Sequence, residues 1–214
     1  MPALALKPVL LAIPLLGGAV HAAPLESAYV AGGCFWCVEA DFEKVQGVDE
    51  VISGYSGGDL PNPTYRQVVA GDTGHYEAAE IRYDPDQVSY AQLMDLFFRS
   101  VDPTDGGGQF CDRGDSYRTA IFVQSEAERQ AAEAAKVEAA AELGQEVVTP
   151  ILRFDAFYEA EDYHQDYYKS DDRLPITSVG FAVPKSVAYE RYRTGCGRDE
   201  RIRQLWGDDA PFLP

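Results

Sequence analysis

Two cysteines three residues apart, Cys34 and Cys37, enclose two large aromatics in the stretch Gly33-Cys34-Phe35-Trp36-Cys37-Val38-Glu39. The nucleophilic form of cysteine is the thiolate, and the unpaired N–H groups at a helix start favour it. Val38, Phe42 and Val45 recur at helical spacing behind the pair, while Gly32 and Gly33 ahead of it read as a strand end or turn. Cys34 is therefore expected at the N-terminus of a helix, where a sulfur can serve as nucleophile. Phe35 and Trp36 suit either a core or an apolar pocket beside that thiol. Two acids lie in or beside turns rich in tyrosine: Glu77 near Tyr65 and Tyr76, and Asp112 near Tyr117. A carboxyl buried next to a thiolate is kept protonated by desolvation and like charge, and a neutral acid can donate a proton. A thiolate, a protonated acid and an apolar pocket are the equipment for attacking a polarised heteroatom.

Other chemistries fit the cysteines alone. Zinc needs four ligands, but Cys111 and Cys196 stand isolated, and only His75 and His164 lie beyond the first twenty-five residues. No metal and no organic cofactor are expected. A thioredoxin-type pair is a closer rival, although its usual aromatic precedes the first cysteine, whereas here both lie between the two. A third possibility is a binding domain whose four cysteines form two structural disulfides, with three ways to pair them.

Positioning these groups requires a fold, and the chain reads as alternating strands and helices. Strands are expected over Val51–Tyr55, Tyr76–Tyr83, Tyr117–Val123 and Val147–Phe154. A short helix is expected near Tyr65–Val69. Ser89 with Gln92 forms a capping box for a helix striped by Leu93, Leu96, Phe97 and Val101, ended by Asp102-Pro103. Ser125 with Glu128 opens an alanine-rich helix that Leu143-Gly144 closes, a solvent-facing support with no expected chemistry. Thr104–Ser116 reads as a long irregular loop, and such loops are often functional. Phe157–Lys169 is crowded with tyrosines, Pro175–Val183 is an apolar connection, and helices are expected over Lys185–Arg193 and Arg198–Trp206. The alternation makes one α+β or α/β domain.

Residues 1–22 carry one charge, Lys7, then the apolar run Val9–Leu16 and small residues ending near Ala22 and Ala23. This is the three-part pattern of a secretory leader. The run is too short to span a bilayer and is interrupted by Pro14, and no later stretch is long enough. An exported, periplasmic protein is expected, with no membrane contact in its mature form. The formal net charge is −17, and losing Lys7 with the leader makes it −18. Such an acidic chain, without clustered Lys and Arg, does not read as a nucleic-acid binder.

Seven ordered motifs then carry a resemblance. They are Gly33-Cys34-Phe35-Trp36, Gly54-Tyr55-x-Gly57-Gly58, Pro61-Asn62-Pro63-Thr64-Tyr65, Gly71-Asp72-Thr73-Gly74-His75-x-Glu77, Gly107-Gly108-Gln109-Phe110-x-Asp112-Arg113-Gly114, Tyr117-Arg118-Thr119-Ala120-Ile121 and Glu161-Asp162-Tyr163-His164-Gln165. From about Ala28 to Trp206 the chain resembles the peptide methionine sulfoxide reductase A family. The resemblance implies a two-layer α+β sandwich around a central mixed sheet with a ferredoxin-like core. It implies reduction of the S epimer of methionine sulfoxide in oxidised proteins, with recycling by a thioredoxin-like reductant; a monomer is expected. Cys34 then attacks the sulfoxide sulfur, Phe35 and Trp36 hold the substrate methyl, Glu77 protonates the oxygen with help from Tyr65 and Tyr117, and Asp112 lines the same pocket.

The chemistry agrees with this. A sulfoxide sulfur is a poor electrophile until its oxygen gains a proton. Attack leaves Cys34 as a sulfenic acid, which a second thiol condenses to a disulfide. Many family members carry that second thiol in a tail just after the segment matching His164-Gln165, and this chain has none there. Cys37 is the first candidate because its spacing permits a disulfide without moving other elements. Cys196, between Gly195 and Gly197, is second and Cys111 third; Cys37 and Cys196 can also act in series. A general thiol–disulfide oxidoreductase built on Cys34 and Cys37 is the alternative activity.

Overall fold

The structure is a computed structural model that describes residues 24–173, 175–177 and 180–214. The leader read over residues 1–22 lies outside them, as does part of the Pro175–Val183 connection. The chain runs β1 (Glu26–Gly32), α1 (Phe35–Phe42), β2 (Val48–Ser56), α2 (Tyr65–Ala70), β3 (Tyr76–Tyr83) and α3 (Tyr90–Ser100). A two-stranded hairpin, β4 (Gly108–Gln109) and β5 (Asp112–Arg113), is followed by β6 (Thr119–Val123), α4 (Glu126–Leu143), β7 (Ile151–Arg153) and β8 (Phe157–Glu159). A second small hairpin, β9 (Ile176–Thr177) with β10 (Gly180–Phe181), leads to α5 (Lys185–Gly195) and α6 (Arg198–Trp206).

Six strands form one sheet in the order β7-β6-β1-β3-β2-β8. β7 pairs parallel with β6 and every other pairing is antiparallel, so the fold is α+β around a mixed sheet. Helices α1 and α3 pack on one face. Val38 and Phe42 meet Leu93, Met94 and Phe97 there, over Val30, Ala79 and Ile81. The approach is close enough that a Cβ on Gly32 would stand 2.8 Å from Val38 Cγ2, which excludes any side chain at that strand end. The opposite face, with Ala31, Ala78 and Phe122, is covered by Tyr29, Leu152, Phe154 and Phe157.

Side chains alternate between faces along a strand, and in β3 this decides the site. Ala79, Ile81 and Tyr83 enter the core under the helices. Glu77 shares their parity and so points at the start of α1. Glu80, of the other parity, accepts hydrogen bonds from Ser27 and Tyr29 instead.

Three segments differ from the sequence expectation. Thr104–Ser116 is not wholly irregular, because it contains the β4–β5 hairpin. Tyr117 lies in a 3-10 turn (Asp115–Tyr117), and β6 begins only at Thr119. Of the run Val147–Phe154 only Ile151–Arg153 pairs as a strand. Pro150 has no N–H for a ladder, and Val148 N donates to Pro103 O at 2.8 Å, outside the sheet.

The C-terminal helices are pinned behind α1 by buried charge. Arg193 meets Asp41 at 2.8 Å, and Arg198 donates to Ser100 O at 2.7 Å with Asp41 3.8 Å away. Asp41 and Arg198 are both almost fully buried, and charges that deep persist only when paired.

Candidate active site

Cys34 is the N-cap of α1. The turn that places it passes through Gly33 at φ +81°, and a Cβ there would stand 2.5 Å from Gln109 Cβ. Gln109 cannot give way, because its fully buried amide accepts from Asp102 N and donates to Asp102 O, both at 2.8 Å. Cys34, Phe35, Trp36, Tyr65, Glu77, Asp112 and Tyr117 all line one cavity of about 70 Å³, and Tyr192 is its eighth wall residue. That space holds a side-chain tip, about two water volumes, and not a whole ligand. Larger hollows of about 760 and 550 Å³ lie elsewhere, lined by the C-terminal residues and by acidic surface groups, and neither contains a thiol.

Each wall residue is held from behind. Glu77 Oε2 accepts the backbone N–H of Phe35 at 3.1 Å. Burial, above all, raises the Glu77 carboxyl to about 8, despite that hydrogen bond, so it is a neutral acid at pH 7. Tyr117 stands beside both Glu77 and Tyr65. Tyr65 starts α2, where its N–H is fixed by Glu161 Oε1 at 3.0 Å, and Glu161 Oε2 also accepts from Tyr55 at 2.9 Å. Asp112 is raised by burial and hydrogen-bonded by the phenol of Tyr192.

The aromatic side of the site is continuous. Trp36 stacks on Tyr167 at 3.9 Å, and the His164 ring lies 5.0 Å from Phe35 and 4.4 Å from Tyr65. Burial lowers His164 to about 4, so it is a neutral ring in an apolar wall. Gln165 fastens this segment to β2, accepting from Ser53 N and donating to Ser53 O, both at 2.9 Å. Glu39 of α1 does the same from the other side, receiving Ser53 Oγ at 2.7 Å and Asp166 N at 2.6 Å.

The thiols depart from the expectation in one respect. Burial, then the hydrogen bond to Cys37, then Glu77 and Asp112 push the Cys34 thiol up. The hydrogen bond from Cys34 brings Cys37 down to about 7, helped by the nearby guanidiniums of Arg198 and Arg193. The physical reason is burial, which disfavours a Cys34 thiolate, together with the neighbouring acids Glu77 and Asp112. The pair's first negative charge therefore rests on Cys37.

Cys37 stands behind Cys34, outside the cavity lining, and both are free thiols. Cys196 is not brought to Cys34: it is disulfide-bonded to Cys111, with Cα atoms 4.8 Å apart across 85 residues of chain. Among the described residues two clusters combine groups of metal-ligand type, and each is already engaged. The sulfurs of Cys111 and Cys196 hold each other beside Asp112. In the acidic group Glu39, Glu43 and Asp166, every carboxylate is engaged, by Ser53, Tyr168 and Lys169. Tyr192 is the wall residue that sequence reasoning missed. Its only local signal is helical spacing with Ala188 and Tyr189, which any buried helix face shows.

A family profile described as "Peptide methionine sulfoxide reductase" matches residues 26–197. "Peptide methionine sulfoxide reductase MsrA 2" of Rhizobium meliloti (strain 1021) is 50% identical over 190 residues, covering 89% of this chain and 88% of that protein. Among solved structures, Mxr1 from Saccharomyces cerevisiae in reduced form superposes with TM-score 0.64 at 31% identity, over 76% of this chain and 91% of that one. Mxr1 has also been solved in complex with Trx2; that structure matches at TM-score 0.50 and 22% identity over 70% and 90% of the two chains, a likeness of fold.

Proposed function

Because the chain belongs to the peptide methionine sulfoxide reductase family and reduces methionine sulfoxide, we propose that Cys34 attacks the sulfoxide sulfur and Glu77 protonates its oxygen. The observation that carries this assignment is that both groups face one cavity of about 70 Å³ walled by Phe35 and Trp36. A sulfoxide presents a methyl and an oxygen on one sulfur. The methyl suits the Phe35 and Trp36 side, and the oxygen suits the side of Glu77, Tyr65 and Tyr117. The buried carboxyl is protonated before substrate arrives, so the acid needs no further activation. As Cys34 attacks, its proton passes along the hydrogen bond to Cys37. The sulfoxide S–O bond breaks as the protonated oxygen passes to the Cys34 sulfur, so methionine leaves and Cys34 becomes a sulfenic acid. Cys37 then attacks that sulfur, forming the Cys34–Cys37 disulfide and releasing water.

A protein dithiol of the thioredoxin type is the reductant in this reading, and the S epimer the substrate. The reductase domain spans residues 28–206, and residues 1–22 act as a leader for export to the periplasm. The four central strands with α1 and α3 are a ferredoxin-like core, supported by the β-α-β-β-α-β connectivity and the order β6-β1-β3-β2. The decisive experiment is reduction of each sulfoxide epimer separately with dithiothreitol. Turnover of the S epimer alone is expected, and turnover of neither overturns the assignment. Export is tested by intact mass of protein from its native host, which should begin near Ala23 or Pro24. A full-length product overturns the leader.

A further inference from the structure

Cys34 is 5% exposed and Cys37 2% exposed. They pack under Trp36, Tyr167, Ala188 and Tyr189, so a disulfide between them is roofed by side chains. Thiol–disulfide exchange needs direct approach of the attacking sulfur to the sulfur attacked, which a folded protein dithiol cannot achieve at such depth. The second sulfur pair is placed differently. Cys111 is exposed and Cys196 half-buried, and they are joined to each other. We propose that the Cys111–Cys196 disulfide is the port where a protein dithiol docks and from which electrons pass inward to the Cys34–Cys37 pair. This rests on the reading of Cys37 as the thiol that resolves the Cys34 sulfenic acid.

Three features connect the outer pair to the inner one. Cys111 immediately precedes Asp112, which lines the cavity with Cys34. Cys196 caps α5, the helix whose Tyr192 hydrogen-bonds Asp112 and whose Tyr189 packs in the cluster holding Cys34 and Cys37. The outer disulfide thus ties α5, which roofs the inner pair, to the hairpin whose Asp112 lines the cavity beside Cys34. Cys196 also lies between Gly195 and Gly197, where a Cβ at either position would meet nothing within 4 Å. Gly197 is held at φ +70°, which favours glycine for the turn into α6, whereas no packing demands one at Gly195, which leaves the backbone before Cys196 free to move.

The exchange balances. A thiolate of the external dithiol attacks Cys111 Sγ, and Cys196 leaves as a thiolate. The second external thiol then releases Cys111, and the external protein departs as a disulfide. Cys196 attacks Cys37 Sγ of the inner bond, and Cys34 leaves as a thiolate. Cys111 finally attacks Cys196, freeing Cys37 and restoring the outer disulfide. Two electrons and two protons have moved from the external dithiol to Cys34 and Cys37.

The test begins with fully reduced protein and excess methionine sulfoxide without reductant. A relay yields about two methionines per chain, because both pairs become oxidised in turn; a disulfide that is only a brace yields about one and overturns the proposal. A thioredoxin whose second cysteine is replaced by serine should then be trapped on Cys111 or Cys196 of the oxidised protein. A mixed disulfide on Cys34 or Cys37 overturns the port. In Cys196→Ser the ratio of thioredoxin-driven to dithiothreitol-driven turnover should fall at least about tenfold, and an unchanged ratio overturns it. If peptide mapping of the singly oxidised protein shows no Cys34–Cys37 bond, the failure lies in the underlying reading and not in the port.

Discussion

The backbone N–H of Phe35 donates to Glu77 Oε2 at 3.1 Å, joining the first residue of α1 to β3 across 42 residues of sequence. This bond sets the character of the site. It holds the Glu77 carboxyl at the start of α1, beside Cys34, where it adds to the burial that disfavours a Cys34 thiolate. Polarity is thereby divided between a neutral acid at the cavity wall and a negative sulfur behind it, at Cys37.

Cys34→Ser should reduce methionine formation at least about a thousandfold, as expected when a nucleophile is lost from a covalent mechanism. The substitution is nearly isosteric, so the thermal midpoint should stay close to that of the parent. Turnover of a few per cent would move the nucleophile elsewhere.

Glu77→Gln should slow single-turnover methionine formation roughly a hundredfold, the usual loss for a general acid. Because burial raises Glu77 to about 8, the acid is present below that pH and lost above it. The parent's rate should therefore fall as pH rises through about 8, and the Gln variant should lack that limb. An unchanged rate would point to Tyr65 or Tyr117 as proton donor.

Cys37→Ser, starting fully reduced, should release about one methionine per chain and then stop, leaving a sulfenic acid on Cys34. Trapping with a dimedone-type reagent and peptide mass analysis reads it directly. If Cys34 instead forms a bond to Cys196 at the parent's rate, the role of Cys37 is lost.

Gly33→Ala should destabilise the fold by roughly 2–4 kcal/mol, combining backbone strain at positive φ with a clash against Gln109. Denaturant titration measures it. Less than about 0.5 kcal/mol would mean that the β4–β5 hairpin yields easily.

Much of this protein follows from short-range rules. The helix start at Cys34, the Ser89–Gln92 capping box and the Gly144 stop rest on periodicity, caps and turn chemistry within a few residues, and the structure contains all three. The ordered motifs also single out the seven predicted cavity residues, because each supplies a residue type the reaction needs. What only the tertiary structure decided involves partners far apart in sequence or the cost of desolvation. Strand periodicity limits Glu77 to one of two faces, and the pairing of Tyr55 with Glu77 across β2 and β3 places it over α1. The choice of Cys111 as the partner of Cys196 depends on two elements 85 residues apart being brought together. Tyr192 enters the wall for the same reason. The direction in which the two thiols share charge depends on burial, on the acids Glu77 and Asp112 and on the guanidiniums of Arg193 and Arg198, none of which a two-residue gap between cysteines can report.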